Sequence, residues 1–271
     1  MRDTYGRALR TGAAVAAGMA LLAACSPGDG GGDGKPPRRT PSTSASGTLT
    51  PSPTPTPSGP GVTLDPKKAP RTAADAKRLA LAVVAGPDAW GPEYVKRSPF
   101  LSAPGSWPVL DANCTWDAGS LPDSVLYSVT SYSEIPAAGG KGVLRVAATV
   151  TIHRTESDAD WEMAETLEEA LRCPDQRLRE GERISGLTSV SPLYDDQSTT
   201  DDLIVERGSY LNEAFKKPQF YTWFQTRIGQ VSFATVIKGA PGYTEAKITD
   251  AQVRANVIMQ DRVKKQWGAH S

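Results

Sequence analysis

"QFYTWFQTR" (Gln219–Arg227) and "QVSFATVIKG" (Gln230–Gly239) are joined through Ile228-Gly229. Both arms are rich in aromatic and β-branched residues, the side chains that suit a pleated, half-buried surface. A short glycine-containing connection between two such arms predicts a β-hairpin turning at Ile228-Gly229. A second pair lies upstream. "SVLYSVTSY" (124–132) and "GVLRVAATVTIH" (142–153) flank "PAAGGKG", which reads as a hairpin loop. In the second of these strands Leu144, Val146, Ala148, Val150 and Ile152 share one face, and Arg145, Thr149, Thr151 and His153 share the other. "RISGLTSVSPLY" (183–194) and "DDLIVERGSY" (201–210) predict two further strands.

Three helices are expected around these strands. Thr72–Val84 opens on a Thr72/Asp75 capping box and stops at Gly86-Pro87. Ser157–Arg172 is amphipathic, with Ser157 as cap, Asp160 three residues on, and an inner stripe of Met163, Ala164, Leu167, Ala170 and Leu171. Its glutamates Glu162, Glu165, Glu168 and Glu169 read as a solvated face. The last helix runs from Asp250 to Trp267 behind a Thr249/Gln252 box, with Ala251, Ala255, Met259 and Val263 inward. Residues 86–121 read as an irregular segment pinned to the core by Trp90, Trp107 and Trp116. The order helix, two strands, helix, four strands, helix is not a regular β-α alternation. It predicts an α+β fold, a mostly antiparallel sheet with packed helices, in one domain at 69–271.

The chain ahead of that domain has a different composition. Arg2, Arg7 and Arg10 precede the apolar run Ala13–Ala24, as in a secretory signal occupying residues 1–24. The run is shorter than the roughly 20 residues a membrane-spanning helix needs. Leu22-Ala23-Ala24-Cys25 resembles the bacterial lipobox, which implies lipidation of Cys25 and anchoring by acyl chains on the outer face of the cell membrane. Residues 25–68 are rich in Pro, Ser, Thr and Gly and carry almost no large apolar side chain, so they read as a disordered spacer. Extended at about 3.1 Å per residue, such a spacer reaches on the order of 130 Å.

Residues 69–271 carry 22 Lys and Arg against 26 Asp and Glu, a net of −4 with no basic stripe, which argues against nucleic acid as a partner. With Cys25 assigned to the anchor, Cys114 and Cys173 remain, and in an oxidising compartment they are expected to pair as a disulfide. Reduced buried thiols or a metal pair are the alternatives. The histidines are His153, on the polar side of a strand end and read as a surface residue, and His270, beside the terminus. No H-E-x-x-H, G-x-S-x-G or S-x-x-K motif is present. "DDQSTTDD" (Asp195–Asp202) supplies hard oxygen donors but lacks the spacing and turn glycine of a calcium loop. It reads as a charged hairpin loop. No metal, cofactor or catalytic residue is therefore assigned.

From Val125 to Trp267 the order of motifs resembles that of lipoproteins from high-GC Gram-positive bacteria carrying a PknH-like extracellular sensor domain. The shared features are a strand ending before "SDADW", a helix closing at a cysteine, and the aromatic strand-Arg-x-Gly-strand hairpin "TWFQTRIGQVSFATV" before a final helix. The resemblance implies a sheet with helices around a cleft that binds an unidentified ligand, and no catalytic residues. That family often has two disulfides, whereas this chain can form one. The expectation is a lipid-anchored, extracytoplasmic, non-catalytic ligand-binding or sensor module whose partner is a small molecule, a wall polymer or a protein. Tyr221 and Trp223 are possible liners of a groove between sheet and helix, or ordinary packing residues. The rival classes are a cell-wall carbohydrate hydrolase or transferase, and a structural lipoprotein of a membrane complex.

Overall fold

The computed structural model describes residues 64–190 and 200–268. Cys25, the leader, the linker up to residue 63, Asp195, Asp196 and His270 lie outside the described residues. In chain order the elements are α1 (Ala73–Val83), α2 (Pro87–Trp90), β1 (Val95–Leu101), β2 (Ser106–Leu110), β3 (Trp116–Ser120), β4 (Val125–Ile135) and β5 (Leu144–His153). There follow α3 (Glu156–Arg172), β6 (Gln176–Arg179), β7 (Glu182–Val190), β8 (Asp202–Asn212), β9 (Gln219–Ile228), β10 (Val231–Lys238) and α4 (Glu245–Trp267). Eight strands form one sheet in the order β1-β4-β5-β10-β9-β8-β7-β6, and β2 pairs with β3 in a separate ribbon. Every ladder is antiparallel. The fold is α+β, an antiparallel sheet with packed helices.

The two faces of the sheet are covered differently. Leu144, Val146, Ala148, Val150 and Ile152 of β5 point as their alternation predicts, into a core shared with Val231, Phe233 and Ile237 of β10. Helices α1, α2 and α4 close that core with Ala76, Ala80, Val83, Trp90, Ala255, Met259 and Val263. The opposite face holds the other alternate residues and is crossed by α3. Thr166 of α3 donates to Gln225 Oε1 of β9 at 2.7 Å. A smaller apolar cluster of Ala170, Ile184, Leu187, Tyr210 and Tyr221 lies there.

The hairpin of β9 and β10 is present, with its turn displaced by one residue. Ile228 pairs with Val231, so the turn is Gly229-Gln230 rather than Ile228-Gly229. Gly229 takes φ +57°, a left-handed conformation that glycine adopts without steric cost.

Residues 86–121 are more regular than expected. They contain α2, β1, β2 and β3. Pro99 hides β1, because proline removes a ladder donor and is confined to edge strands and bulges. β1 is an edge strand, and its register to β4 shifts between Lys96 and Leu101. Of the three tryptophans expected to pin the segment, Trp90 is buried in the main core, and Trp116 Nε1 donates to Gln176 Oε1 at 2.8 Å.

Two helix starts also move. α3 is capped by Thr155, with Asp158 completing the box, two residues before the expected Ser157/Asp160. Its buried stripe is Ala159, Met163 and Ala170, while Ala164 is exposed and Leu171 is 83% exposed. α4 starts at Glu245 behind Thr244, not at Asp250 behind Thr249. The expected inner residues Ala251, Ala255, Met259 and Val263 are all buried, and Gln252 is buried beside them. Its Nε2 donates to the Thr235 carbonyl at 2.8 Å.

Candidate functional site

Where α3 crosses the sheet it seals a layer of polar groups. His153 is the last residue of β5 and is 1% exposed, not at the surface. Its Nε2 lies 2.8 Å from Glu162 Oε2 and 3.3 Å from Ser232 Oγ, and Ser232 Oγ also donates to Glu162. Glu162 and Glu169 therefore do not belong to a solvated face, because α3 is turned so that both look inward. Burial pushes the Glu169 carboxyl up to about 7. Glu206 on β8 is pushed to about 8, by burial first and then by the charge of Glu169.

The groups of this layer are not arranged as a Ser-His-acid triad. A Ser-His-acid triad places the serine on one imidazole nitrogen and the carboxylate on the other. Here both meet Nε2, and His153 Nδ1 is buried with no hydrogen-bond partner among the described residues. Glu206 is 6% exposed beneath the helix.

Past the C-terminal end of α3 the same face opens into a groove. Cys173 ends the helix and is bonded to Cys114, with Cα atoms 5.5 Å apart, as the cysteine arithmetic predicts. The Cys114 carbonyl accepts from Arg177 N at 2.8 Å, so the disulfide ties the β2–β3 ribbon to edge strand β6. The groove, of about 1040 Å³, lies between the β6–β7 hairpin and residues 211–218. Arg179, Glu182, Ile184, Asn212 and Phe215 are among the residues that line it.

The chemistry of the groove centres on Glu182. Arg179 donates to its Oε1, and Lys238 Nζ lies 3.1 Å from its Oε2. Burial alone would raise this carboxyl. The hydrogen bond from Arg179, the Lys238 charge and a hydrogen bond from Tyr210 outweigh it and hold Glu182 at about 2. The Lys238 ammonium is lowered by its own burial, partly restored by Glu182, and sits 5.5 Å from the Tyr210 ring centre. Asn212 Nδ2 donates to Tyr210 Oη at 2.8 Å, and Phe215 meets the Tyr210 ring edge-on. The result is a carboxylate fixed in the groove wall beside Arg179 and Phe215, and backed by Lys238 and Tyr210, which do not themselves line the groove.

Tyr221 and Trp223 do not line this groove. Tyr221 is buried in the smaller cluster, and Trp223 packs at its edge with a buried Nε1 that has no hydrogen-bond partner among the described residues. Asp201 and Asp202, the described end of the acidic run, both pair with Arg227. Among the described residues no group of three or more His, Cys, Asp or Glu is placed to hold a metal ion. The sequence reading missed Arg179, Glu182 and Lys238. A signal for the first two was present in "RLREGER" (177–183), where charged arms flank Gly181, which takes φ +71° at the hairpin turn. No family model matches the chain, and no curated protein matches it.

Proposed function

We propose that this protein is a lipid-anchored, extracytoplasmic, non-catalytic module that binds a polar ligand in the groove between the β6–β7 hairpin and residues 211–218. The observation that carries the reading is the Arg179–Glu182–Lys238 constellation. Its charges are partly desolvated, mutually oriented and held by the sheet on one side and the Cys114–Cys173 disulfide on the other. Such preorganisation lowers the ordering cost of binding. Convergent polar groups with shifted ionisation in a concave site are the usual mark of a ligand pocket. The donors and acceptors of Arg179, Glu182 and Asn212 beside Phe215 suit a ligand with hydroxyl, amide or carboxylate groups, such as a saccharide or peptide fragment of a cell wall.

The groove is tested by adding N-acetylated sugars and short wall peptides to the isotope-labelled protein and following backbone amide shifts. Saturable shifts at Glu182, Tyr210, Asn212 and Phe215, weakened at least tenfold by Glu182→Gln, are expected. Shifts confined to other faces, or full-strength binding by the variant, would refute the site. The anchor is tested separately by metabolic labelling with a fatty-acid analogue in a bacterial host. Labelling should be lost in Cys25→Ala, and equal labelling of the two proteins removes the anchor from the proposal.

A further inference from the structure

We infer that the groove where α1 meets the end of α4 docks on an anionic lipid surface. This goes beyond the ligand-binding role and requires neither the Glu182 groove nor the acyl chains. The groove, about 730 Å³, is lined by Lys67, Lys68, Arg71 and Arg78, with Asp75 as its one carboxylate among the described residues and Trp267 among its apolar residues. Asp75 is held by Arg78 at 2.5 Å. Lys67, Lys68 and Arg71 are exposed and have no carboxylate partner among the described residues. The adjoining exposed face of α1 adds Lys77 and Leu81, the latter 41% exposed.

The form of this cluster selects its partner. A small anion is captured by converging, partly buried donors, as Glu182 is by Arg179 and Lys238. Here the cations stand exposed around a rim with an apolar side chain beside them, which suits phosphate headgroups with Leu81 reaching toward the acyl boundary. The location agrees, because the described structure begins at Leu64, three residues before Lys67. The chain thus enters the described domain beside this rim.

The test is co-sedimentation of the full chain carrying Cys25→Ser, so that no acyl chain contributes, with vesicles of phosphatidylglycerol and phosphatidylcholine or of phosphatidylcholine alone. The wild-type rim should favour the anionic vesicles, and the preference should fade as salt is raised. Lys67→Gln/Lys68→Gln/Arg71→Gln, which alters exposed side chains only, should weaken partitioning to the anionic vesicles about a hundredfold. Lys96→Gln/Lys141→Gln/Arg207→Gln removes as much charge from exposed positions outside both grooves and should bind as wild type does. The leader is common to all these proteins and cancels in the comparison. Equal binding by the rim variant, or an equal loss in the control, overturns the inference. So does saturable binding of inorganic phosphate at the rim without a preference for anionic vesicles, which would assign a small-anion site instead.

Discussion

Glu206 shows what one buried side chain does to the whole stability curve. Its carboxyl is pushed to about 8 by burial and by Glu169, and Glu169 is itself pushed to about 7 by burial. Around Glu169, Arg172 lowers the value while Glu165, Glu168 and Glu162 raise it. Both folded values lie above the ordinary 4.5, so the folded protein keeps protons that the unfolded chain releases. This contribution to stability is fully present below about pH 4.5 and is lost as pH rises through 7 and 8. Glu206→Gln supplies a neutral side chain of the same shape. At pH 8.5 it should raise Tm by on the order of 5 °C, and at pH 5 it should change Tm little. Thermal melts across that range check it, and parallel pH profiles for the two proteins would sink the idea. None of this was legible in the sequence. Alternation places His153 on the polar side of β5 and the helical spacing places four glutamates on α3, and nothing local marks either as buried. The missing fact is non-local: α3 lies across that polar face, and rotates Glu162 and Glu169 under itself.

At the scale of elements, legibility followed the strength of the local physics. The strands with clean alternation, β4, β5, β9 and β10, stand where the pattern places them. Helix existence was equally plain, and helix starts were not. Thr155-x-x-Asp158 and Ser157-x-x-Asp160 are chemically equivalent boxes two residues apart. The choice is made outside the helix, where Arg154 N still reaches the Ser124 carbonyl at 2.8 Å and holds the chain extended to Thr155. At α4 the true cap, Thr244, has Lys247 rather than an acid three residues on, so the decoy Thr249/Gln252 looked better. Gln252 serves the core instead. The elements that went unread are those with weak local signals. β6 has only four residues, β1 contains a proline, and the β2–β3 ribbon contains Pro108 and Gly119. All lie at or beyond the edges of the sheet, and the Glu182 groove is built partly from β6. The candidate site was therefore the least legible part of the chain, although its disulfide was inferred from counting cysteines.

Across the whole molecule, stability should be divided as unequally as the apolar packing is. The main core joins α1, α2 and α4 to β4, β5 and β10, whereas the groove side has the five-residue cluster around Ile184 and Tyr210. The β2–β3 ribbon has Leu110 as its one buried apolar residue, and is held through Trp116, the Cys114 backbone and the disulfide. Regions with few buried contacts open without global unfolding. In native-state hydrogen exchange the amides of β5 and β10 should be slowest and those of β2–β3 much faster. Met259→Ala truncates a fully buried side chain and should lower global stability by about 2–5 kcal/mol. It should therefore accelerate β5 and β10 about a hundredfold while leaving β2–β3 rates unchanged, because the ribbon already exchanges by its own opening. Cys114→Ser/Cys173→Ser should lower global stability by about 4 kcal/mol in the chain-entropy account, and should in addition free β2–β3 and β6 from each other. Only that variant should both speed the ribbon and weaken ligand binding in the groove, since β6 forms one wall. A single common exchange rate for β5 and β2–β3 in the wild type, or an equal response of the ribbon to both variants, would show one cooperative unit. The groove would then be as rigid as the core, and its disulfide would not be what holds it in shape.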